Sequence, residues 1–246
     1  MTCRDAWVII SAKSFACAKQ RLSPLLTGRE RAALARTMLA DIFRAAAGVR
    51  GLENIAVVTG ADDVAREAER LGAVAIDDRE AIGTNQAIQA GLAAVRRRGG
   101  RCVVTLPSDV PAVTNEDIST LLDIAERGCV AIVPAPRDGG TNALALDWPE
   151  RLEPCFGAQS FTRHVAAANH AGIKPVVVLN TRLGLDLDQP GDLFRYLDLR
   201  TSTATDRYLR SIALPERHAA GCLETEALAV GAVMRGASAE PLQLRR

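Results

Sequence analysis

The chain has 246 residues, enough for one large domain with a substantial core or for two small domains. Its formal net charge is +1 and 24% of its residues are charged, a balance that argues against nucleic-acid binding through bulk positive charge. The sequence has neither an apolar run that could span a membrane nor a signal-peptide pattern, and its 6 cysteines lack C-x-x-C spacing, so we expect a cytoplasmic protein with reduced thiols and no membrane partner.

Short β-branched runs alternate with helical patterns along most of the sequence. Residues 7–12 predict a strand, and Thr27 with Glu30 predicts a capping box that opens a helix ending near Ala47. Later strands are predicted at 54–59, 73–76, 101–106, 130–134, 143–146 and 174–179. Later helices are predicted at 62–71, 84–98, 114–128 and 160–171, with another beginning near Pro190. This order predicts an α/β sandwich with a mostly parallel central sheet flanked by helices.

The helical periodicity fades near Arg200, which sets the predicted domain boundary. We assign residues 1–200 to one domain and 201–246 to a C-terminal extension that is partly helical or disordered. The apolar segment LETEALAVGAVM in this extension suggests an arm that forms a homodimer, with a frayed terminus as the alternative.

The candidate functional residues follow the ends of predicted strands, where ligands bind in open α/β sheets. Lys13, Lys19 and Arg21 follow the first strand, and Thr59 ends the second. Three cations in one loop would suit a ligand that carries several phosphates. A solvated basic loop is the alternative, because the chain has no G-x-x-x-x-G-K-[ST] or G-x-G-x-x-G motif.

Three aspartates are candidate ligands for Mg²⁺. Asp109 lies between two prolines in LPSDVP, and Asp186 and Asp188 in LDLD would share one face of a strand. Mg²⁺ takes one or two carboxylates together with substrate phosphates, so these residues suit it. The alternatives are that Asp188 only caps a helix and that Asp186 is an exposed strand residue.

Two glycine-containing segments, GGTN and FGAQSF, have the composition of anion cradles. They add the hydroxyls of Thr141 and Ser160, and Ser160 opens a predicted helix whose dipole favours an anion. The alternative for Ser160 is a helix N-cap alone. His164 and His170 are six residues apart and do not share a helix face. His164 lies four residues after Ser160 and could approach the same ligand, but surface or cap roles are expected for both histidines. The chain has no G-x-S-x-G motif, which argues against a hydrolase.

These motifs together resemble a known family. They are K-x5-K-x-RLSPLL from Lys13, N-x-AI at Asn85, SDVP at Asp109, GGTNAL, FG-x-x-SF-x-x-H and LDLDQPGDL. In this order they resemble the CofC/FbiD guanylyltransferases of coenzyme F-420 biosynthesis, relatives of the molybdopterin guanylyltransferases. The resemblance covers residues 7–199.

The resemblance implies a single Rossmann-like nucleotidyltransferase domain that joins GTP to a three-carbon phospho acid and releases pyrophosphate. It implies that Lys13 contacts phosphates, that Mg²⁺ binds to the three aspartates, and that Asn85 approaches the nucleotide. It also implies that the phospho acid binds to Thr141, Gly157 and Ser160. Lys19, Arg21 and Thr59 follow strands, and we expect Lys19 and Arg21 to bind the triphosphate and Thr59 to bind the nucleotide.

The acceptor is left open by the sequence. Family members use 2-phospho-L-lactate, phosphoenolpyruvate or 3-phospho-D-glycerate, and the Arg-rich composition favours the latter two. Alternatives are a nucleotidyltransferase with another acceptor, although the L-A-G-G loop typical of those enzymes is absent, and an inactive ligand-binding relative. As partners we expect the two substrates, a homodimer, and a downstream enzyme that receives an unstable product.

Overall fold

The computed structural model describes residues 5–49, 54–81, 83–147 and 152–214. The strands are β1 (Ala6–Ser11), β2 (Asn54–Val58), β3 (Val74–Ile76), β4 (Cys102–Pro107), β5 (Val130–Ala135), β6 (Gly140–Asp147) and β7 (Pro175–Val177). The helices are α1 (Gly28–Ala47), α2 (Asp62–Arg70), α3 (Thr84–Arg97), α4 (Asn115–Glu126), α5 (Ser160–His170), α6 (Pro190–Asp198) and α7 (Ala204–Ser211). The predicted α/β fold is confirmed.

The strands form one sheet in the order β3-β2-β1-β4-β6-β5-β7. β6 runs antiparallel to both of its neighbours, β4 and β5, and every other pairing is parallel. The carboxyl ends of β1, β2, β3 and β4 therefore meet at one edge, and the loop between β5 and β6 reaches the same edge because β6 runs back from it. The predicted mostly parallel sheet is confirmed.

The sheet is buried on both faces. Trp7 and Ile9 of β1 pack with Ile88 and Val95 of α3 in one apolar cluster. Val8, which points to the opposite face of β1, is also fully buried. Strands of a parallel sheet that is covered on both sides read as continuous apolar runs, which explains the sequence WVII.

The structure differs from the sequence predictions at three helix and strand ends. LDLD is not a strand, because its backbone leaves the sheet and Leu187 N donates to Asp109 O at 2.9 Å. Asp188 does not cap α6, because the N-cap is Gln189 in a capping box with Asp192. Ser160 does not cap α5 either, since Gln159 occupies the N-cap position with φ 58°. Thr27 and Glu30 do form the predicted capping box of α1.

The chain separates into a unit Met1–Tyr208 and a unit Leu209–Arg246. The first unit continues beyond the predicted boundary at residue 200, because Asp41 accepts hydrogen bonds from Ala204 N and Thr205 N at 2.9 and 2.7 Å. Of the second unit, 209–214 are described, and they contain the end of α7. The segment LETEALAVGAVM lies outside the described residues. Among those residues, no helix is both long and apolar enough to cross a bilayer.

Candidate active site at the carboxyl edge of the sheet

Two cavities open side by side at the carboxyl ends of β1 and β4. The larger, of about 790 Å³, is lined by Lys13, Lys19, Arg21, Asp78, Arg79, Asp109 and Asp188, among others. The smaller, of about 170 Å³, is lined by Asp138, Thr141, Gly157 and Asp186, among others. Ser11, Thr84 and Pro107 line both cavities, so the two form one continuous cleft.

Lys19 is held over the acidic side of this cleft. It lies between two short 3₁₀ turns in the left-handed region, with φ 53°, which costs a non-glycine residue on the order of 1 kcal/mol. Its Nζ is 2.6 Å from Asp109 Oδ2 and 3.8 Å from Asp188 Oδ1, and the side chain is only 11% exposed. The ion pairs hold this strained residue in place, and they put the charge where the two cavities meet.

Arg21 and Arg137 complete the ion-pair network. Arg21 Nη1 is 2.6 Å from Asp188 Oδ2. Arg137, from the loop between β5 and β6, binds Asp186 through Nη2 and lies 2.8 Å from Asp192 Oδ2 through Nη1. Burial opposes the charge on Arg137, but the neighbouring carboxylates raise its pKa above the usual value. Arg137 therefore fixes the loop that carries Asp186 against the start of α6.

Asp109 and Asp186 are two carboxylates that are close together and partly buried, which is unfavourable for their charged forms. Burial raises the pKa of Asp186, and the negative charge of Asp109 raises it further, while Arg137 opposes the rise. Asp109 Oδ1 is buried and has no hydrogen-bond partner among the described residues. A buried, unpaired carboxylate oxygen costs about 1–3 kcal/mol, so this atom is a prepared site for a cation or a donor.

The donor set is compatible with a hard divalent cation. Carboxylate oxygens are the ligands that Mg²⁺ prefers, and it needs only one or two of them beside phosphates. Asp109 has an unpaired oxygen, and Asp188 shares Lys19 with it. In the described part of the chain no three His, Cys, Asp or Glu side chains are arranged to hold one ion, so a complete protein cage is not present there.

Besides the carboxylates of Asp138 and Asp186, the smaller cavity has a wall that is held by hydrogen bonds between neutral groups. Thr141 Oγ1 lies 2.9 Å from Nδ1 of His164, and His164 Nε2 accepts from Cys155 N at 3.0 Å. Asn85 binds the backbone of Phe156 twice, since its Nδ2 donates to Phe156 O at 3.2 Å and its Oδ1 accepts from Phe156 N at 2.6 Å. Gly157 follows with φ 116°, a conformation that side chains rarely allow.

Comparison with known proteins identifies the family. The family model described as "Guanylyl transferase CofC like" matches residues 6–225. The chain belongs to this family. It is therefore a nucleotidyltransferase of the guanylyltransferase family of coenzyme F-420 biosynthesis.

Three relatives that are named for different acceptors have similar identities to this chain. The phosphoenolpyruvate guanylyltransferase of Conexibacter woesei is 34% identical over 77% of this chain and 86% of its own length. The 3-phospho-D-glycerate guanylyltransferase of Phenylobacterium zucineum is 34% identical over 76% and 87%. The 2-phospho-L-lactate guanylyltransferase of Methanothermobacter thermautotrophicus is 33% identical over 83% and 89%.

A solved structure supports the fold. A candidate nucleotide-diphospho-sugar transferase from Desulfovibrio desulfuricans G20 aligns with a TM-score of 0.70 at 17% identity, over 85% of this chain and 96% of its own. At this identity the likeness shows the fold alone, and it agrees with a nucleotidyltransferase architecture.

The CofC-like cleft contains most of the residues that the sequence predicted for it. Lys13, Lys19, Arg21, Asp109 and Asp188 line the larger cavity, and Asp186, Thr141 and Gly157 line the smaller one. Ser160 is fully buried on the first turn of α5, and its hydroxyl has no partner among the described residues.

Two predicted nucleotide residues lie elsewhere. Thr59 is buried, and its Oγ1 accepts from Ala61 N at 3.2 Å, so it shapes the turn after β2 and lines neither cavity. Both amide atoms of Asn85 are hydrogen-bonded to the backbone of Phe156, so in this guanylyltransferase Asn85 holds the wall of the smaller cavity. The nucleotide roles of these two residues remain predictions.

Several residues of the CofC-like site were missed. Arg137, in the loop between β5 and β6, was not among the predicted site residues, and Asp192 was included only within the motif LDLDQPGDL. The available signal was their position at the carboxyl edge. His164 was expected at the surface but is fully buried, a result of contacts with Thr141 and Cys155 that are distant in sequence. Burial raises the pKa of Cys155, which agrees with the absence of a nucleophilic role.

Proposed function

We propose that this guanylyltransferase joins the GMP part of GTP to the phosphate of phosphoenolpyruvate or 3-phospho-D-glycerate, with Mg²⁺ and release of pyrophosphate. The observation that carries the proposal is the continuous cleft of two unequal cavities. Its larger part is lined by Lys13, Lys19 and Arg21, and its smaller part has neutral donors. A nucleotide triphosphate requires the larger volume and carries more negative charge than a three-carbon phospho acid, which fits the smaller volume.

The cations of the larger cavity would bind the triphosphate. Lys13 is exposed on the cavity wall. Burial raises the pKa of the nearby Asp78 carboxyl, and the positive charge of Lys13 opposes part of this rise. Lys19 and Arg21 are already paired with aspartates, so they would exchange these partners for phosphate oxygens as the substrate enters. The exchange keeps each charge neutralised throughout binding.

The aspartates would hold the metal ion at the junction of the two cavities. Asp109 and Asp188 would be its main ligands. Asp186 would lie beside them, held by its ion pair with Arg137. When bound, Mg²⁺ would supply positive charge to the phosphate oxygens. Both carboxylate oxygens of Asp109 are acceptors: Oδ1 is unpaired and Oδ2 binds Lys19. Asp109 would therefore release Lys19 when it binds the metal ion.

The reaction requires no protein nucleophile. An oxygen of the acceptor phosphate forms a bond to the α-phosphorus, the bond from the α-phosphorus to the bridging oxygen breaks, and pyrophosphate leaves with the electron pair. Lys13 and Lys19 would stabilise the charge that develops on the leaving group, while Thr141 and the Gly157 backbone would hold the acceptor. Positioning and electrostatic stabilisation therefore carry the rate.

The preference for phosphoenolpyruvate or 3-phospho-D-glycerate over 2-phospho-L-lactate rests on the Arg-rich composition of the chain. The relatives named as guanylyltransferases of these two acceptors are each 34% identical to it. The lactate relative differs by a single percentage point, at 33%. Only an assay distinguishes these acceptors.

The test is pyrophosphate release from GTP and Mg²⁺ with each of the three phospho acids offered separately. The downstream pathway enzyme should be present, because we expect the product to be unstable and to be handed on. We expect turnover with phosphoenolpyruvate or 3-phospho-D-glycerate, and much weaker turnover when ATP or CTP replaces GTP. Turnover with 2-phospho-L-lactate alone would contradict the preference. Absence of turnover with all three, in protein that binds GTP, would contradict the proposed reaction.

A further inference from the structure

The hydrogen bonds of His164 determine where its proton lies. His164 Nε2 accepts from Cys155 N at 3.0 Å. A backbone N–H can only donate, so Nε2 carries no proton. A neutral imidazole then carries its proton on Nδ1. Burial, with a smaller contribution from Arg163, lowers the pKa of His164 to about 4, so the ring is neutral at pH 7.

The Nδ1 proton points to Thr141. Nδ1 lies 2.9 Å from Thr141 Oγ1, so the ring donates and the threonine oxygen accepts. The hydroxyl proton of Thr141 is then left for an acceptor in the smaller cavity, which Thr141 lines. With the other tautomer, Thr141 would donate to the ring and would present only lone pairs to a ligand. The tautomer therefore decides whether this wall attracts or repels an anion.

The surroundings of His164 keep the ring in this orientation. The ring is fully buried on α5 and meets the Phe156 ring edge-on, with centroids 5.0 Å apart and an interplanar angle of 69°. Phe156 is held from the other side by the two hydrogen bonds of Asn85. One turn earlier on α5, the buried hydroxyl of Ser160 has no partner among the described residues. The described contacts thus fix the Thr141 hydroxyl and leave the buried Ser160 hydroxyl without a described partner.

We propose that His164 is a positioning residue that makes the Thr141 hydroxyl a hydrogen-bond donor to the anionic acceptor in the smaller cavity. His164 does not line this cavity and acts only through Thr141. The acceptor class is an oxyanion, a carboxylate or a phosphate, because a fixed donor favours negative charge. The assignment to a phospho acid rests on the proposed function.

The first test reads the tautomer without any activity assay. The full chain is labelled with ¹⁵N, and long-range ¹H–¹⁵N correlation spectra of its 3 histidines are recorded at pH 7. The signals of His164 are assigned by their loss in His164→Gln. We expect the neutral ring with its proton on Nδ1. A proton on Nε2, or a charged ring, would overturn the proposal.

The second test separates the two sides of the imidazole. Asn places its amide near the position of Nδ1, and Gln places its amide near Nε2. His164→Asn can therefore still donate to Thr141, whereas His164→Gln can still accept from Cys155 but has no donor for Thr141. We expect His164→Gln to raise the KM of the phospho acid about 10- to 100-fold with kcat and the KM of GTP little changed, and His164→Asn to raise it only a few fold. His170→Gln is the matched control and should behave as the wild type.

Thr141→Val decides whether the effect passes through the hydroxyl. In the Thr141→Val background, His164→Gln should have almost no further effect on the KM of the phospho acid, because the coupled partner is already gone. Equal effects of the Asn and Gln variants, or full additivity with Thr141→Val, would indicate a packing role and overturn the proposal.

The inference and the proposed function fail in different ways. If the wild type shows no turnover with any phospho acid, the proposed function fails, and inorganic phosphate replaces the acceptor as the probe. Phosphate should then bind to the wild type at least tenfold more tightly than to His164→Gln, in a titration followed by the backbone amide ¹H–¹⁵N signals of the labelled chains. Equal binding would overturn the role of His164 even when the tautomer is as expected.

Discussion

The two halves of the cleft use different physics. In the larger cavity, Lys19 and Arg21 are paired with carboxylates that line the same space, and both pairs include solvent-accessible atoms. In the smaller cavity, Thr141, His164 and Asn85 form directed hydrogen bonds among neutral groups, and His164 is fully buried. Ion pairs can exchange partners as a charged ligand enters, whereas buried hydrogen bonds keep their geometry.

The difference suits two different tasks. A triphosphate brings its own metal ion and several charges, so its site gains from cations that are stored on carboxylates and released on binding. A three-carbon acid offers few atoms for recognition, so its site gains from donors that are already aimed. Substitutions in the larger cavity should therefore act mainly on turnover, and substitutions in the smaller cavity mainly on the KM of the phospho acid.

Asp109→Asn should have the largest effect. The amide removes a negative charge that binds Lys19 and that would hold the proposed Mg²⁺, and we expect kcat to fall on the order of 10³-fold. The check is steady-state pyrophosphate release at several Mg²⁺ concentrations. Asp123→Asn, an exposed residue of α4, is the control and should keep normal kinetics. Near-normal turnover in Asp109→Asn would show that the charge of Asp109 has no part in the mechanism.

Lys13→Ala should lower turnover by about 10²- to 10³-fold while the fold stays intact. Lys13 is exposed, so its loss leaves no cavity in the core and should not change the free energy of unfolding by more than about 0.5 kcal/mol. Turnover and urea unfolding should be measured on the same preparation. Lys174→Ala is a matched control, because Lys174 is exposed before β7 and away from the cleft. A fall in turnover in both variants would indicate a general charge effect.

Ser160→Ala tests the predicted phospho-acid role of Ser160, which lines neither cavity, with opposite signs for activity and stability. The hydroxyl is buried without a partner in the described residues, so its removal should stabilise the fold by about 1 kcal/mol. If Ser160 donates to the phospho acid, the KM of that substrate should rise about tenfold. Ser119→Ala is the control, because Ser119 Oγ has a helical partner in Asn115 O at 2.9 Å. A more stable variant with an unchanged KM would show that Ser160 does not touch the acceptor.

The fold was largely predictable from local sequence signals. The capping box of Thr27 and Glu30 depends on residues three apart, and the apolar run after Asp5 gives β1 directly. Asp109 was found because a residue that follows a buried strand must reach the carboxyl edge. These predictions succeed because each depends on neighbours in the sequence or on one general rule of open sheets.

The contacts inside the site were not predictable in the same way. LDLD has the alternation of a strand, but Leu187 N binds Asp109 O and the segment leaves the sheet. Asn85 and Phe156 are 71 residues apart, and Arg137 and Asp186 are 49 apart. Such pairs are selected by tertiary packing, which a single sequence does not display. The wrong expectation of a surface His164 has the same cause, since its partners lie on β6 and in the loop before α5.

The effect on stability in acid tests the neutral side of the comparison. The folded-state pKa of His164 is about 4, below the usual value of 6.5, mainly because of burial, so the unfolded chain binds a proton more readily between these values. Stability from this group is therefore complete above pH 6.5 and is lost as the pH falls toward 4. Between pH 7 and pH 4.5 this should cost about 2–3 kcal/mol beyond the other titrating groups.

Urea unfolding of the wild type and of His164→Gln at both pH values measures this loss of stability, since the variant should lose less stability in acid. His170→Gln should lose as much as the wild type, because His170 is exposed. An equal loss in His164→Gln would mean that His164 takes up a proton as readily in the folded protein as in the unfolded chain, and burial with the hydrogen bond from Cys155 N would then not hold the ring neutral.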